Sequence, residues 1–414
     1  MNKHKFCVIQ PLIGGMALAA EEAFGQSPEF VIDYQGIANS ELYLNYQKEK
    51  RNKSIPHFIF NGNFISKVQD FETEEMKNEF DKLNKNIDVV VAVPVCSGLS
   101  GANSTGKEEH KAGSEAIQNN NQLGILEFVI SKIKPKVYIY ENAPGLYTNM
   151  GTGLREKIVS VAKATGYNVQ FNKVNTINYG LPQSRQRTFC ILWRKDVFAT
   201  VPKFPFECLP RQTLLEFFKT SPDEPNEAQL REEFERRPFI NYLKAHYGNR
   251  DSWLEEFFKD EDNTFELLEK YNEYDMAVDV CSKIDPKFLK YIDHIKKKLA
   301  MGKGFFTDDN YGKNPDHCGA IYWKQFMQLI NPIKRRFLGA NEAMKLMGMP
   351  DDFDVPSNLA MIGQNVPKNT AYAMCKDIAL AFEGKLTYTA DEVSMQDLTK
   401  ESHFTNKKIN NFIK

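Results

Sequence analysis

The sequence predicts an α/β protein, with a mostly parallel sheet covered by helices on both faces and a second, smaller domain. Short apolar segments alternate with amphipathic ones over residues 6–200, and strands that alternate with helices form parallel sheets. The 414 residues exceed one ordinary domain, and 42% apolar side chains are enough for a large core. The predicted strands are 6–9, 30–33, 87–95, 136–142, 168–175 and 188–194, and the predicted helices are 16–24, 38–50, 72–84, 122–134 and 153–165.

Composition and charge limit the functional classes. The formal net charge is −1, which excludes a simple polycationic nucleic-acid binder but permits a local basic surface. No apolar run reaches the roughly 18 residues that a membrane span needs, so we expect none. The seven cysteines form no CxxC pair, which argues against a zinc site or a disulfide framework. We therefore expect a metal-free, monomeric protein of the reducing cytoplasm.

A cysteine follows the third predicted strand. In VVVAVPVCSGLS (89–100) the apolar run ends at Cys96, and a loop of small residues begins there. Ligands of open α/β sheets bind at the carboxyl ends of the strands. A cysteine at such an end is held rigidly, and its thiolate is a strong nucleophile. The alternative is a buried structural cysteine without reactivity.

Glu141 and Asn142 end the next predicted strand, in KVYIYENAPGLYT (136–148). A carboxyl group in such an apolar setting has a raised pKa and can serve as an acid. The alternative is a Glu-Asn pair that caps or forms the following turn.

Two arginines precede the last predicted strand, in QSRQRTFCIL (183–192). Arg185 and Arg187 alternate along the chain, so both side chains point to one side of a strand. There they can hold carbonyl, phosphate or carboxylate groups. The alternative is a strand edge with solvated arginines.

Glycines in two further segments permit close contact with a ligand. Gly14 and Gly15 lie in PLIGGMALAAEEAFG (11–25), directly after the first strand, and glycine lets the backbone approach a ligand. The segment MIGQNVPKNTAYAMCKDIALAF (361–382) places a glycine-containing loop before an amphipathic helix. Neither segment is specific by itself.

The composition divides the chain into four parts. Residues 1–204 form the first part of the α/β domain. Within it, the Gly-, Ser- and Asn-rich stretch 97–121 is typical of a lid or binding loop, or else of a solvent-facing insertion. The composition changes over 205–330, which we assign to the second domain. Residues 331–386 return to the first domain, and the polar tail 387–414 is expected to be loosely held.

The order of these elements resembles the motif series of the DNA cytosine-C5 methyltransferases, most of all the phage and bacterial members. A Gly-Gly turn, a strand ending in cysteine, a Glu-Asn pair and a Gln-x-Arg-x-Arg segment come first. After a long unshared region follow Arg-Arg, Met-Gly, Pro-Asp and Gly-x-x-Val-Pro. The resemblance covers about residues 1–200 and 331–386. It implies the Rossmann-like class I fold of S-adenosylmethionine-dependent methyltransferases, with residues 205–330 as the target-recognition domain.

The resemblance implies a catalytic role for each matching residue. Cys96 would attack C6 of a cytosine flipped out of the DNA, and Glu141 would contact N3 and the exocyclic amine. Asn142 would support Glu141. Arg187, and less directly Arg185, would hold the O2 side of the base. The activated C5 would take a methyl group from S-adenosylmethionine, and loss of the C5 proton and of the cysteine would restore the ring.

The resemblance also implies a cofactor pocket, with departures from the family pattern. Gln10 replaces the family's phenylalanine, Leu12 its first glycine and Gln364 an asparagine, while Pro94 lies one place earlier than its proline. A leucine at that position should restrict how the backbone nears the ligand, which leaves a modified S-adenosyl donor as an alternative. The cofactor residues so assigned are Pro11, Leu12, Ile13, Gly14, Gly15, Met16, Asp33, Asn63, Pro94, Gln364, Asn365 and Val366.

The implied substrate is double-stranded DNA, contacted by the loop after the cysteine and by a basic segment. Residues 286–345 carry an excess of basic side chains, whereas residues 211–285 are acidic. An RNA substrate and a DNA-binding protein without catalysis are the alternatives. The DNA-binding residues so assigned are Ser97, Ser100, Lys296, Lys297, Lys298, Arg335 and Arg336.

Overall fold

The computed structural model describes residues 3–34, 40–61, 70–100, 113–220, 316–322, 330–331 and 336–400. Most of the expected recognition domain and most of the stretch 97–121 therefore lie outside the described residues, and so do five of the assigned side chains. Only the backbone of Arg336 is described. The five are Asn63, Lys296, Lys297, Lys298 and Arg335.

The described part of the chain contains thirteen strands, and nine of them form one sheet. Its order is β13-β7-β9-β6-β5-β1-β2-β3-β4, and within it β4 and β9 run opposite to the other seven strands. The strands are β1 Phe6–Ile9, β2 Val31–Tyr34, β3 His57–Asn61, β4 Asp70–Phe71, β5 Val89–Ala92, β6 Val137–Asn142, β7 Tyr167–Asn175, β8 Gln183–Ser184, β9 Gln186–Arg194, β10 Cys318–Gly319, β11 Ile330–Asn331, β12 Arg336–Phe337 and β13 Val393–Leu398.

Helices cover both faces of this sheet, which confirms the predicted α/β architecture. Alternate strand residues serve opposite cores: Val137 and Ile139 pack on one face, and Tyr138 and Tyr140 on the other. The first core also takes α1, α2, α7 and α9, and the second takes α3, α4 and α5. The helices are α1 Gly15–Phe24, α2 Glu41–Arg51, α3 Glu74–Leu83, α4 Asn119–Phe128, α5 Thr152–Ala164, α6 Leu214–Thr220, α7 Ala340–Leu346, α8 Ala360–Gln364 and α9 Lys368–Phe382.

The C-terminal part of the chain differs from the expectation. A loosely held tail from residue 387 onward was predicted, and this is wrong for β13, which pairs with β7 along six residues. Backbone hydrogen bonds to β7 hold this polar strand, and so does Gln396, whose Oε1 accepts from Gln170 Nε2 at 3.0 Å and from the Phe204 amide at 3.1 Å. The strand thus extends the sheet by its backbone rather than by an apolar pattern.

The two ends of the predicted second domain (205–330), called the insertion below, meet beside β8. Arg211 forms an ion pair with Asp316, and the Leu214 amide donates to the Asp316 carbonyl at 2.9 Å. Farther along the exit, the Ile321 amide donates to Gln183 Oε1 at 3.2 Å, while Gln183 Nε2 donates to the Leu346 carbonyl at 2.9 Å. Entry, exit and α7 are therefore fastened to one another where the insertion leaves the sheet.

Asp377 on α9 should make the protein less stable as the pH rises. Burial and the charge of Glu207 raise the pKa of this carboxyl to about 8 from 3.8, with Lys376 opposing. In the unfolded chain the Asp377 carboxyl ionises above about pH 4, whereas in the folded protein it keeps its proton up to about pH 8. The free energy of unfolding should therefore fall by about 1.4 kcal/mol per pH unit between these values.

The variant Asp377→Asn should remove most of this slope and raise the melting temperature most at pH 8. Thermal unfolding at several pH values measures both effects. Equal pH slopes for the two proteins would contradict the assignment of the slope to Asp377.

Candidate active site

Cys96 lies at the carboxyl edge of the sheet, four residues after the end of β5. The Val93 amide donates to the Ile9 carbonyl at 3.1 Å and thereby keeps the chain beside β1 beyond the end of β5. Pro94 is buried, and a single 3-10 turn, Ser97–Leu99, begins directly after Cys96. The thiol-bearing residue is partly exposed, so a substrate can reach it from this edge.

Glu141 and Arg187 meet beside Cys96 because β6 and β9 are antiparallel. Asn142 pairs with Thr188 and Glu141 with Phe189, so the carboxyl end of β6 lies next to the start of β9. Arg187 Nε is 2.7 Å from Glu141 Oε1, and both side chains are less than 10% exposed. Removal of either partner would leave the other charge buried and unpaired, which destabilises a protein strongly. Each charge therefore holds the other in place.

Burial and the neighbouring charges have opposing effects on the pKa values of Cys96 and Glu141. Burial raises the pKa of the Cys96 thiol and the negative charge of Glu141 raises it further, while Arg187 and Arg185 lower it. Burial also raises the pKa of the Glu141 carboxyl, against the lowering effect of the same two arginines. The thiol therefore keeps its proton at neutral pH until a substrate or a base changes this balance.

Arg185 has a different set of contacts from Arg187. Its Nη1 donates to the carbonyls of Ile321 and Gly363, the latter at 2.9 Å, and its Nη2 donates to the Asn365 carbonyl at 2.9 Å. The side chain is 1% exposed, and burial with the nearby Arg187 charge lowers its pKa to about 9. Arg185 thus joins the exit of the insertion to the segment after α8, and it influences Cys96 and Glu141 only through its charge.

Asn142 is fully buried and turned away from the ion pair. Its Oδ1 accepts from the Ala143 amide at 2.8 Å, and its Nδ2 donates to Gln122 Oε1 at 3.3 Å. Sequence reasoning missed Gln122 and its neighbours Asn119 and Asn121, because QNNNQ (118–122) looked like the end of a polar loop. The signal that could have revealed them is the run of amides at the start of an otherwise apolar helix.

The turn between β1 and α1 keeps a glycine-type backbone although it has lost one glycine. Gln10 and Leu12 have φ angles of 53° and 54°, and Gly14 has 105°. Leucine in this left-handed region costs roughly 1–2 kcal/mol, so the surroundings must hold the turn. Leu12 packs against the core, and its φ angle lies in the region that favours glycine. The expectation that Leu12 restricts how the backbone nears a ligand stays a prediction.

Asn365 and Val366 close this turn from the C-terminal side. The Gly15 amide donates to Asn365 Oδ1 at 3.0 Å, and a Cβ on Gly15 would lie 2.1 Å from the Val366 carbonyl oxygen. Gln364 takes the place of the family's asparagine in the motif, but it is exposed at the end of α8. Asn365 therefore makes the contact with the glycine turn.

Gln10 and Asp33 add two hydrogen-bond acceptors to this edge of the sheet. Gln10 is 3% exposed, and its Oε1 has no hydrogen-bond partner in the described part of the protein. Asp33 lies near the carboxyl end of β2, where its Oδ2 accepts from the Ser40 amide at 3.2 Å and lies 3.7 Å from His57 Nε2. An acidic residue at this point binds ribose hydroxyls in Rossmann-like folds. Both acceptors lie at the carboxyl edge of the sheet, where ligands of open α/β sheets bind.

The other predicted site residues have simpler surroundings. Ile13 and Met16 are fully buried in the core, and the Pro11 carbonyl accepts from the Gly14 amide at 2.9 Å. Ser97 and Ser100 flank the turn after Cys96 and are partly exposed. In the described stretches, no helix could cross a membrane and no group of three or more His, Cys, Asp or Glu could hold a metal ion.

Comparison with known proteins identifies relatives of this chain. The type II methyltransferase M.BsuRI of Bacillus subtilis is 31% identical over 179 residues, which are 42% of this chain and 40% of that protein. The type II methyltransferase M1.HphI of Haemophilus parahaemolyticus is 30% identical over 200 residues, 46% of this chain and 50% of that protein. The matched segments thus span half or less of these relatives.

Solved structures share the fold at low identity. A protein encoded within an E. coli prophage superposes with a TM-score of 0.54 at 17% identity, over 91% of this chain and 98% of its own. The Entamoeba histolytica methyltransferase EhMeth superposes with a TM-score of 0.52 at 11% identity, over 92% and 99%. The fold is the Rossmann-like class I methyltransferase fold that the motif series implied.

The family model for C-5 cytosine-specific DNA methylases matches residues 13–379. This range includes the glycine turn, Cys96, Glu141, Arg187 and Asn365. The chain belongs to the C-5 cytosine-specific DNA methylase family.

Proposed function

We propose that this protein transfers a methyl group to C5 of cytosine in double-stranded DNA, with Cys96 as the covalent nucleophile. The observation that carries the proposal is the meeting of Cys96, Glu141 and Arg187 at one sheet edge, from the ends of β5, β6 and β9. The family shown for the chain supports it. S-adenosylmethionine would supply an electrophilic methyl group.

The residues of the edge fit the steps of this reaction. C5 of cytosine is a weak nucleophile until a bond forms at C6. The Cys96 sulfur forms that bond, the electron pair of the C5–C6 double bond moves toward C5, and Glu141 gives its proton to N3. Arg187 holds the Glu141 carboxylate that remains and can donate to the base oxygen O2. When a base such as water later takes the C5 proton, its electron pair restores the C5–C6 double bond and the thiolate of Cys96 leaves. N3 then returns its proton to Glu141.

The Cys96–Glu141 pair therefore needs only one proton. Burial raises the pKa of both groups, and because an ordinary thiol has a higher pKa than an ordinary carboxyl group, the pair holds this proton on the thiol at rest. Moving it to the carboxyl group produces the thiolate and the acid together, and Arg187 stabilises the intervening negative charge.

The alternatives are less well supported. A modified donor was suggested by Leu12 and Gln364, but Leu12 has a glycine-type φ angle, and Asn365 rather than Gln364 bonds to the Gly15 amide. Both observations favour ordinary S-adenosylmethionine. A competition assay with tRNA distinguishes an RNA substrate. The DNA contacts assigned to Lys296, Lys297 and Lys298, the monomeric state and the cytoplasmic location stay predictions.

Expression in a bacterium should add 5-methylcytosine to its DNA. Nucleoside mass spectrometry should detect this base with the unchanged protein and lose it with Cys96→Ser, since a hydroxyl is a far weaker nucleophile than a thiolate. A cytosine carrying some other added mass would overturn the donor. Unmodified DNA, together with no covalent complex on 5-fluorocytosine DNA, would overturn the proposed reaction.

The pH dependence of covalent-complex formation should report the shared proton. With the unchanged protein, the rate should vary little from about pH 7 to about pH 8, because the pair carries one proton throughout. Glu141→Gln should be slower overall, but its rate should rise by about tenfold per pH unit, since only the thiol then titrates. A similar slope for both proteins would contradict the shared proton.

The two arginines should respond differently to replacement by lysine. Arg187→Lys should slow covalent-complex formation by about 100-fold, because it loses the Nε contact with Glu141. The melting temperature should change little, because the lysine keeps the positive charge. Arg185→Lys should lower the free energy of unfolding by about 2–4 kcal/mol, because buried carbonyls lose their donors. Rate measurements and thermal unfolding separate the effects, and equal behaviour of the variants would refute this division.

A further inference from the structure

Three buried amide side chains begin α4, between the segments that carry Cys96 and Glu141. Asn119, Asn121 and Gln122 are 3%, 0% and 1% exposed. We refer to these three residues as the amide cluster. A buried amide costs free energy unless it is hydrogen-bonded, whereas an apolar side chain would fill the same space at no such cost. The bonds of the cluster therefore indicate what it does.

One set of bonds reaches the Glu141 side of the site. Asn142, which follows Glu141, donates from Nδ2 to Gln122 Oε1 at 3.3 Å. Gln122 Nε2 then donates to Asn119 Oδ1 at 3.1 Å. The end of β6 is thereby tied to the first turn of α4.

A second set of bonds reaches the Cys96 side. The amide of Val95, the residue before Cys96, donates to Asn121 Oδ1 at 2.9 Å. Asn119 Nδ2 donates to the Gly113 carbonyl at 2.8 Å, and the Gly113 amide donates to the Gly98 carbonyl at 2.7 Å. A Cβ on Gly98 would lie 2.6 Å from Asn119 Oδ1, so the turn after Cys96 rests directly on this amide.

We propose that the amide cluster consists of positioning residues, which set the distance and orientation between the Cys96 sulfur and the Glu141 carboxyl group. The cluster holds the backbone on both sides of Cys96 and the side chain of Asn142, the residue after Glu141. Two of its members, Gln122 and Asn119, are hydrogen-bonded to each other. Chemistry that moves one proton within the Cys96–Glu141 pair depends on this spacing, and misplacement by about 1 Å can cost about 100-fold in rate. The inference rests on the proposed function.

The test compares Gln122→Met with Gln170→Met. Gln170 is an equally buried glutamine with two side-chain partners, Trp193 Nε1 at 2.9 Å and Gln396 Oε1 at 3.0 Å, and it lies on β7 away from the site. The measurements are the rate of covalent-complex formation at saturating DNA, the Kd for DNA and the melting temperature. The DNA is a library of bacterial genome fragments copied with 5-fluorocytosine, with S-adenosylmethionine present.

We expect Gln122→Met to slow covalent-complex formation at least tenfold at unchanged Kd for DNA, while Gln170→Met forms the complex at the rate of the unchanged protein. Similar losses of melting temperature in both variants would show that general destabilisation is matched. Equal rates for the two variants would overturn the inference and leave the proposed function intact. No complex with the unchanged protein would overturn the proposed function and the inference together.

If Gln122→Met does not fold, Gln122→Glu replaces it. This change keeps the side-chain volume and the acceptor for Asn142 but loses the donor to Asn119. The same slowing is expected, and a rate equal to that of Gln170→Met would again overturn the inference.

Discussion

The antiparallel insertion of β9 between β6 and β7 is the constraint on which the site depends. In a parallel sheet, every strand brings its carboxyl end to the same edge, where ligands bind. Because β9 runs the other way, its amino-terminal end reaches this edge instead, and Arg187 arrives beside Glu141. A parallel β9 would carry Arg187 to the opposite edge. The topology therefore brings together two residues that are 46 positions apart in the sequence, and they form an ion pair.

The ion pair also determines how the cysteine behaves. Two arginines near one carboxylate and one thiol give the buried group a surplus of positive charge once the thiol is neutral. That surplus is tolerable because Arg185 is held by three backbone carbonyls rather than by a second carboxylate. The site can accept one more negative charge, either a thiolate or charge that develops on a base, without losing its internal balance.

Much of the fold could be predicted because its strands are apolar and its helices are amphipathic. The central strands β1, β2, β5 and β6 were visible for that reason. The edge strand β13 was not, since it contains Gln396 and Asp397 and is defined by its pairing with β7. The same reason explains the candidate site: Cys96, Glu141 and Arg187 lie at or near the ends of obvious strands, so the sequence drew attention to them. Gln122 bonds to Asn142 and Asn121 to Val95, both in other segments, so the sequence showed only a run of polar residues.

The fastening at Arg211 and Asp316 has a consequence for how such a protein can diversify. Since entry and exit of the insertion are joined at the sheet, the sequence between them closes a loop whose ends are already fixed. A segment of different length or composition can occupy the same junction at a small additional entropic cost. The chemistry at the sheet edge and the sequence between the two ends can therefore evolve separately, and grafting a foreign segment between residues 220 and 316 is the corresponding route for engineering.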